Sequence, residues 1–235
     1  MRGVKSFPAL LIAASVAVTA APRLVAQVPS ASNSETVRRL ALPPSGTVGL
    51  PGSFWRSVLG NGGPMPDFER LLIVGSDGTI LGEANGDERQ VLLPEPIARL
   101  LSDGAVRATL VHNHPGGVSL SGTDLGQLGK PGVERVIAVS PDGSVFEASA
   151  GARFDACAFD ALYKDVLAAV TERVNREAQR EGVDPARLYP NLTHLAALTL
   201  DRAGVIRYRI TPSLRLRIEL DRYRHALEWN IATRH

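Results

Sequence analysis

Cysteine is nearly absent from this chain: Cys157 is the only one in 235 residues. That excludes an intramolecular disulfide and a zinc site built from thiolates. An excess of one charge is missing too, with 26 basic residues against 24 acidic ones and a formal net charge of +2. No global field therefore favours nucleic acid or an anionic membrane. Long hydrophobic runs are confined to residues 7–20, a stretch short of the ~20 residues that span a bilayer. No internal repeat of about 20–50 residues is visible.

What is present begins with an export signal. Arg2 and Lys5 precede the uncharged run Phe7 to Ala20, and small residues offer cleavage sites after Ala20 or Ala26. The pattern predicts a signal peptide over residues 1–26, with a retained anchor as the alternative. Either way the globular part is expected outside the cytoplasm, periplasmic or secreted. Cleavage at Ala26 removes Arg2, Lys5 and Arg23 and no acid, leaving 23 basic residues against 24 acidic. No nucleic-acid partner and no stable membrane association after cleavage are expected. Export without disulfides fits a bacterial envelope protein. A hydrophobic fraction of 44% and a charged fraction of 21% indicate a folded chain, long enough for one well-packed domain with appendages.

Residues 27–66 are rich in Pro, Ser, Gly and Asn and read as a linker, with Phe54 and Trp55 docking on the core. From Glu69 the pattern sharpens. "ERLLIV", "GSDG" and "TILGEA" form a hairpin. "PEPIARLLSDG" is a short helix with prolines at its start, and "VRATLVHNH" is an apolar, central strand. "SGTDLGQLG" opens another short helix, and "VERVIAVS–PDG–SVFEASA" is a second hairpin. Residues 155–181 form a long helix on the spacing of Phe159, Leu162, Val166, Ala169, Val170 and Val174. A helix at 191–203, a strand "VIRYRI" and a last amphipathic segment at 213–229 follow. Alternating strands and helices predict an α/β (α+β) architecture, a mixed β-sheet flanked by helices. The core is expected over residues 67–152 and a helical C-terminal extension over 153–235. The long helix is expected to pack on the sheet and the Arg-rich end to form a small appendage.

The chemistry lies in "TLVHNHPGGVSLSGTDL", residues 109–125. Residues i and i+2 of a strand share a face, so His112 and His114 present two imidazoles to one point. Pro115, Gly116 and Gly117 then turn the chain. Ser121 to Asp124 has the form of a helix start, with Ser at the N-cap and the acid three residues on. Asp124 then sits in the first helical turn, close to the histidines. Two imidazole nitrogens and a carboxylate oxygen, with water as the fourth ligand, make the open tetrahedral set of catalytic zinc. The competing reading is an exposed polar pair beside an ordinary helix cap.

"HNHPGGVSLSGTD" resembles the JAB/MPN (JAMM) metallopeptidase motif, His-x-His-Pro followed by Ser-x-x-Asp with a separate upstream Glu. The flanks agree over roughly residues 68–150: a strand beginning with Glu, a hairpin, a helix, then the His-x-His strand. The resemblance implies a JAB/MPN-like (cytidine-deaminase-like) core in which His112, His114 and Asp124 bind Zn2+ and Ser121 helps hold a tetrahedral oxyanion. Six residues separate His114 from Ser121, one fewer than is usual in the family. This short "HPGG" form looks like bacterial and phage-associated members, so the substrate class of the eukaryotic deubiquitinases does not carry over.

A general base must take a proton from water and pass it to the leaving amine. Glu69, Glu83, Glu88 and Glu95 are the candidates. The family places its Glu at the start of the preceding strand, which matches Glu69 in "FERLLIV". If the hairpin turn centres on Ser76 and Asp77, Glu69 lies opposite Ala84. Glu69 and Glu83 then face opposite sides, and only one reaches the metal. A register error of one residue would exchange them. Glu88 and Glu95 read as surface residues. Ser119 is the alternative to Ser121, and Asn113 should point to the opposite face and satisfy backbone groups.

His194 in "NLTHLAAL" reads as a satisfied core histidine. Residues 201–225 hold seven arginines against three acids and read as a solvated face. The leading expectation is an exported zinc hydrolase of an amide bond, peptide or isopeptide, with a peptide or protein substrate. The alternatives are an inactive scaffold on the same fold and another metal hydrolase such as a nuclease, which the near-neutral charge disfavours.

Overall fold

The structure, a computed structural model, describes residues 65–222. The expected signal peptide at 1–26, nearly all of the expected linker with Phe54 and Trp55, and the end of the last amphipathic segment lie outside the described residues.

The first hairpin pairs β1 (Arg70–Gly75) with β2 (Ile80–Asn85). Its register differs from the expected one. Leu71, not Glu69, faces Ala84, and the Glu69 carbonyl accepts from the Gly86 N–H at 2.7 Å. Two local features each move the pairing by one residue. The turn closes between Gly75 and Thr79 and so centres on Asp77, and a register shift falls between Ile73 and Val74. A displacement of two preserves parity, so Glu69 and Glu83 still point to opposite faces.

Helix α1 (Glu95–Ser102) follows, with Pro96 in its first turn and a Glu95–Arg99 ion pair of 2.8 Å along its exposed side. Strand β3 (Ala108–Asn113) is buried at every position. It lies between β1, to which it is antiparallel, and β4 (Val133–Val139), to which it is parallel. A parallel pair needs a crossover, here the short helix α2 (Gly122–Gly126) and the 3-10 turn Gln127–Gly129. Strand β5 (Val145–Ala150) returns antiparallel to β4. Next come α3 (Phe159–Glu181), α4 (Leu192–Arg202), β6 (Ile206–Thr211) and α5 (Leu214–Arg222). The described residues thus form an α+β fold, a six-stranded mixed sheet in the order β2-β1-β3-β4-β5-β6 with five helices.

Side-chain alternation divides the core. Leu71, Ile73, Leu110, Val136, Ala138 and Phe146 cluster with Phe159, Tyr163, Ala196, Ala197 and Leu200 of the helices. Leu72, Val74, Val111, Ile137, Val139 and Val145 form a second cluster. A strand apolar on both faces, like β3, is the natural centre of such a sheet. Truncating Leu72, Ile73 or Ile137 to Ala should cost about 2–5 kcal/mol.

The C-terminal part departs from expectation in two ways. First, the expected strand "VIRYRI" forms, as β6, but it pairs antiparallel with β5 along its whole length and so joins the sheet instead of staying in the extension. Arg207 and Arg209 are exposed and alternate with buried Ile206 and Tyr208. Second, the buried stripe of α3 runs through Phe159, Tyr163, Val170, Val174 and Ala178, while Leu162 and Ala169 are exposed. Phe159, Val170 and Val174 are buried as expected, but Tyr163 takes the place expected of Leu162, since its amphipathic side chain can bury its ring there. The helix stops at Gly182, whose φ of 67° is the left-handed cap that glycine adopts without cost.

Candidate metal centre

The β1–β3 register builds the centre. Leu71 lies opposite His112, and the same register carried outward sets Glu69, just before β1, across from His114, just after β3. All three side chains share the helix-covered face, and all are buried: Glu69 is 7% exposed, His112 3% and His114 4%. Their ligand atoms lie within 4.8 Å of one another, a group able to hold a metal ion. The His112 and His114 Nε2 atoms are 2.8 Å apart, their rings edge-on at 65°, and His114 Nε2 is 3.9 Å from Glu69 Oε1.

Asp124 comes to the same point from α2. Ser121 is the N-cap of that helix. Its hydroxyl accepts from the Asp124 N–H at 3.2 Å, and Asp124 Oδ2 accepts from the Ser121 N–H at 2.7 Å. This reciprocal capping box fixes the carboxylate. Its Oδ1 then lies 3.2 Å from His112 Nε2 and its Oδ2 3.4 Å from His114 Nε2. Gly122 makes the approach possible, since a Cβ there would stand 2.5 Å from the Tyr163 ring.

The histidine tautomer follows from its outer partner. His114 Nδ1 lies 3.0 Å from the Val118 carbonyl, which can only accept, so Nδ1 carries the hydrogen and Nε2 its lone pair. Asn113, between the histidines, clamps the chain on both sides of Glu69. Its Oδ1 accepts from the Arg70 N–H at 2.6 Å and its Nδ2 donates to the Phe68 carbonyl at 2.8 Å. It is 0% exposed, so one strand end holds the two imidazoles and, through its intervening residue, the carboxylate.

The donor set suits a tetrahedral cation. Bonds of zinc to nitrogen or oxygen put neighbouring ligand atoms about 3.3 Å apart. The two imidazole Nε2 atoms are closer than that, at 2.8 Å, and each faces a different Asp124 oxygen, Oδ1 at 3.2 Å from His112 and Oδ2 at 3.4 Å from His114. The two carboxylates sit in different electrostatic settings. Burial raises the Glu69 pKa, and Asp124 and Asp87 add to the rise, while His114 and His112 only partly offset it. Burial also pushes Asp124 up, but the two imidazoles outweigh it and hold that carboxyl well below its ordinary value. Burial pulls His114 down, and the bond and charge of Asp124, the Val118 carbonyl and Glu69 reverse it, so its pKa is raised. A carboxylate pushed up beside one pushed down is the pattern of a proton carrier beside a permanent anion.

The remaining candidates are elsewhere. Glu83 is on the opposite face, paired with Arg70 at 2.8 Å. Glu88 is exposed beside Arg89, and Glu95 beside Arg99. Ser119 is turned away, its hydroxyl 2.8 Å from the Tyr208 hydroxyl. Local sequence pattern does not single out Tyr163, which stands against Gly122 of α2, or Tyr208, which meets Ser119. The usable signal was that a buried tyrosine needs a partner for its hydroxyl. No family model matches this chain, and neither a curated protein nor a solved structure is significantly similar to it.

Proposed function

We propose that this chain is a zinc-dependent hydrolase of an amide bond, peptide or isopeptide, on a JAB/MPN-like core. The observation that carries the reading is the buried group Glu69, His112 and His114, which could hold a metal ion, with the half-buried Asp124 carboxylate beside both imidazoles. In this reading His112, His114 and Asp124 are the ligands. Held by these residues, a zinc ion would supply Lewis-acid polarisation of a carbonyl and a water with a pKa nearer neutrality.

The rest falls to the chain's own side chains. Glu69, the carboxylate with the raised pKa, takes the proton of the attacking water and delivers it to the leaving nitrogen. The Ser121 hydroxyl already accepts one bond, and its own hydrogen remains for the oxyanion of the tetrahedral intermediate. Asn113 keeps Glu69 in register with the histidines. Arg2, Lys5 and the apolar run after them support action outside the cytoplasm, on a peptide or protein. Among the described residues no helix is long and apolar enough to cross a membrane.

The test is a Glu69→Gln variant beside wild type, assayed for zinc content and against a panel of peptide and isopeptide substrates. The reading predicts retained zinc and turnover lowered about 10²–10⁴-fold. Unchanged turnover in that variant would refute it.

A further inference from the structure

Three buried polar side chains have no part in the chemistry above: Ser119, His194 and Tyr208. They form one chain of contacts. Ser119 Oγ lies 2.8 Å from Tyr208 Oη, and His194 Nδ1 lies 2.9 Å from the same oxygen. Three separate elements meet there: Ser119 in the loop from β3 to α2, Tyr208 on β6 and His194 on α4. The backbone is tied as well, since the Tyr208 N–H donates to the Asp201 carboxylate of α4 at 2.8 Å.

A serine near a histidine suggests a nucleophile, but this arrangement excludes it. The histidine contacts the phenol rather than the serine, and all three groups are out of solvent reach. Burial lowers the His194 pKa to about 4, so the three groups are neutral near pH 7. Neutral, mutually bonded and buried, they act as a brace.

The braced loop is the one that completes the metal centre. Its first half, Gly116 and Gly117, is exposed. Its second half is anchored. The Val118 carbonyl orients His114, Ser119 meets Tyr208, Leu120 is fully buried, and Ser121 caps the helix that carries Asp124. Two of the three ligands are therefore oriented by residues on either side of Ser119.

We propose that Tyr208, acting with Ser119 and His194, is a positioning residue for the metal centre: it pins residues 118–121 so that Val118 holds the His114 ring and Ser121 holds Asp124. The inference rests on the metal-centre reading of the site. It makes β6 and α4 part of the scaffold of a site whose ligands all lie before residue 125.

The experiment measures zinc affinity of the purified chain by competition with a chromophoric chelator. Wild type, Tyr208→Phe, Ser119→Ala, their double variant and a control, Val174→Ala, are compared. Val174 is buried in α3 within the separate cluster that α3 and α4 share. Tyr208→Phe and Ser119→Ala should each weaken zinc binding about tenfold, as loss of outer-sphere support does. The double variant should be no weaker than the weaker single one, since both cut one link. Val174→Ala should melt at lower temperature with zinc affinity unchanged. Wild-type affinity in Tyr208→Phe overturns the inference and leaves the metal reading intact. An equal loss of affinity in Val174→Ala also overturns it, because affinity would then follow general stability. A wild-type chain that takes no zinc overturns the metal reading and the inference together. Should Tyr208→Phe fail to fold, Ser119→Ala decides alone.

Discussion

Two places in this molecule bury histidine, and they do it in opposite ways. His194 lies beside the Tyr208 hydroxyl, which is itself bonded to Ser119. Each link needs one hydrogen, and hydroxyls supply them. His112 and His114 instead have their Nε2 atoms 2.8 Å apart, with carboxylate oxygens at 3.2, 3.4 and 3.9 Å. The first set is complete as it stands. The second gathers lone pairs that repel one another unless a proton or a cation lies among them. The pKa directions follow: burial alone takes His194 down to about 4, whereas carboxylates overcome burial at His114 and raise it. A buried histidine is thus informative through its neighbours. Hydroxyl partners mark a structural group, and converging imidazoles and carboxylates make a place that a proton or a cation can fill.

The comparison can be sharpened by its effect on stability. His194 has a folded-state pKa below its ordinary 6.5. Its contribution is therefore fully present above about pH 6.5 and is lost as pH falls toward 4. The shift corresponds to about 3 kcal/mol. In urea titrations with a chelator present, wild type should lose that much more stability than His194→Gln between pH 7 and pH 4. Equal losses in the two proteins would mean that His194 is not buried as a neutral group.

An effect of similar size belongs to Asn113, which serves the other site. Asn113→Ala removes the partner of the part-buried Arg70 N–H and Phe68 carbonyl, at about 1–3 kcal/mol for each if no water replaces it. It also releases Glu69. Lower stability and lower turnover with zinc retained are the expected outcome, checked by thermal melts, steady-state kinetics and metal content. Loss of zinc with turnover per bound zinc unchanged would show that Asn113 supports the ligands and not the base.

The smallest effect separates the two acids of the first hairpin. Glu83 is 61% exposed at its side chain and paired with Arg70. Exposed pairs of this kind contribute about 0–1 kcal/mol. Glu83→Gln should leave turnover unchanged and stability within that range. A turnover loss like that expected of Glu69→Gln would move the base to Glu83.

Local patterns carried much of this structure. Both hairpins, the apolar β3 strand and the capping box at Ser121 follow from residues adjacent in sequence. So does the shared face of His112 and His114. The face of Glu69 was legible by parity, although the turn centre and the bulge moved the register by two residues. What local periodicity could not carry was pairing across distance. Nothing around "VIRYRI" says that this strand completes the sheet at β5, and alternation alone cannot say that Tyr208 reaches Ser119. Those contacts are set by how α3 and α4 return the chain to the sheet, and that return depends on which face of each helix is buried. On α3 that face was misplaced by one residue, Leu162 for Tyr163.

Metal content of the purified chain, with zinc supplied during expression, tests the central claim most directly when set beside a His112→Ala, His114→Ala double variant. The account predicts about one zinc per wild-type chain and none in the variant. A wild-type chain without zinc would contradict it, and the converging acceptors would then have to be held by protons alone.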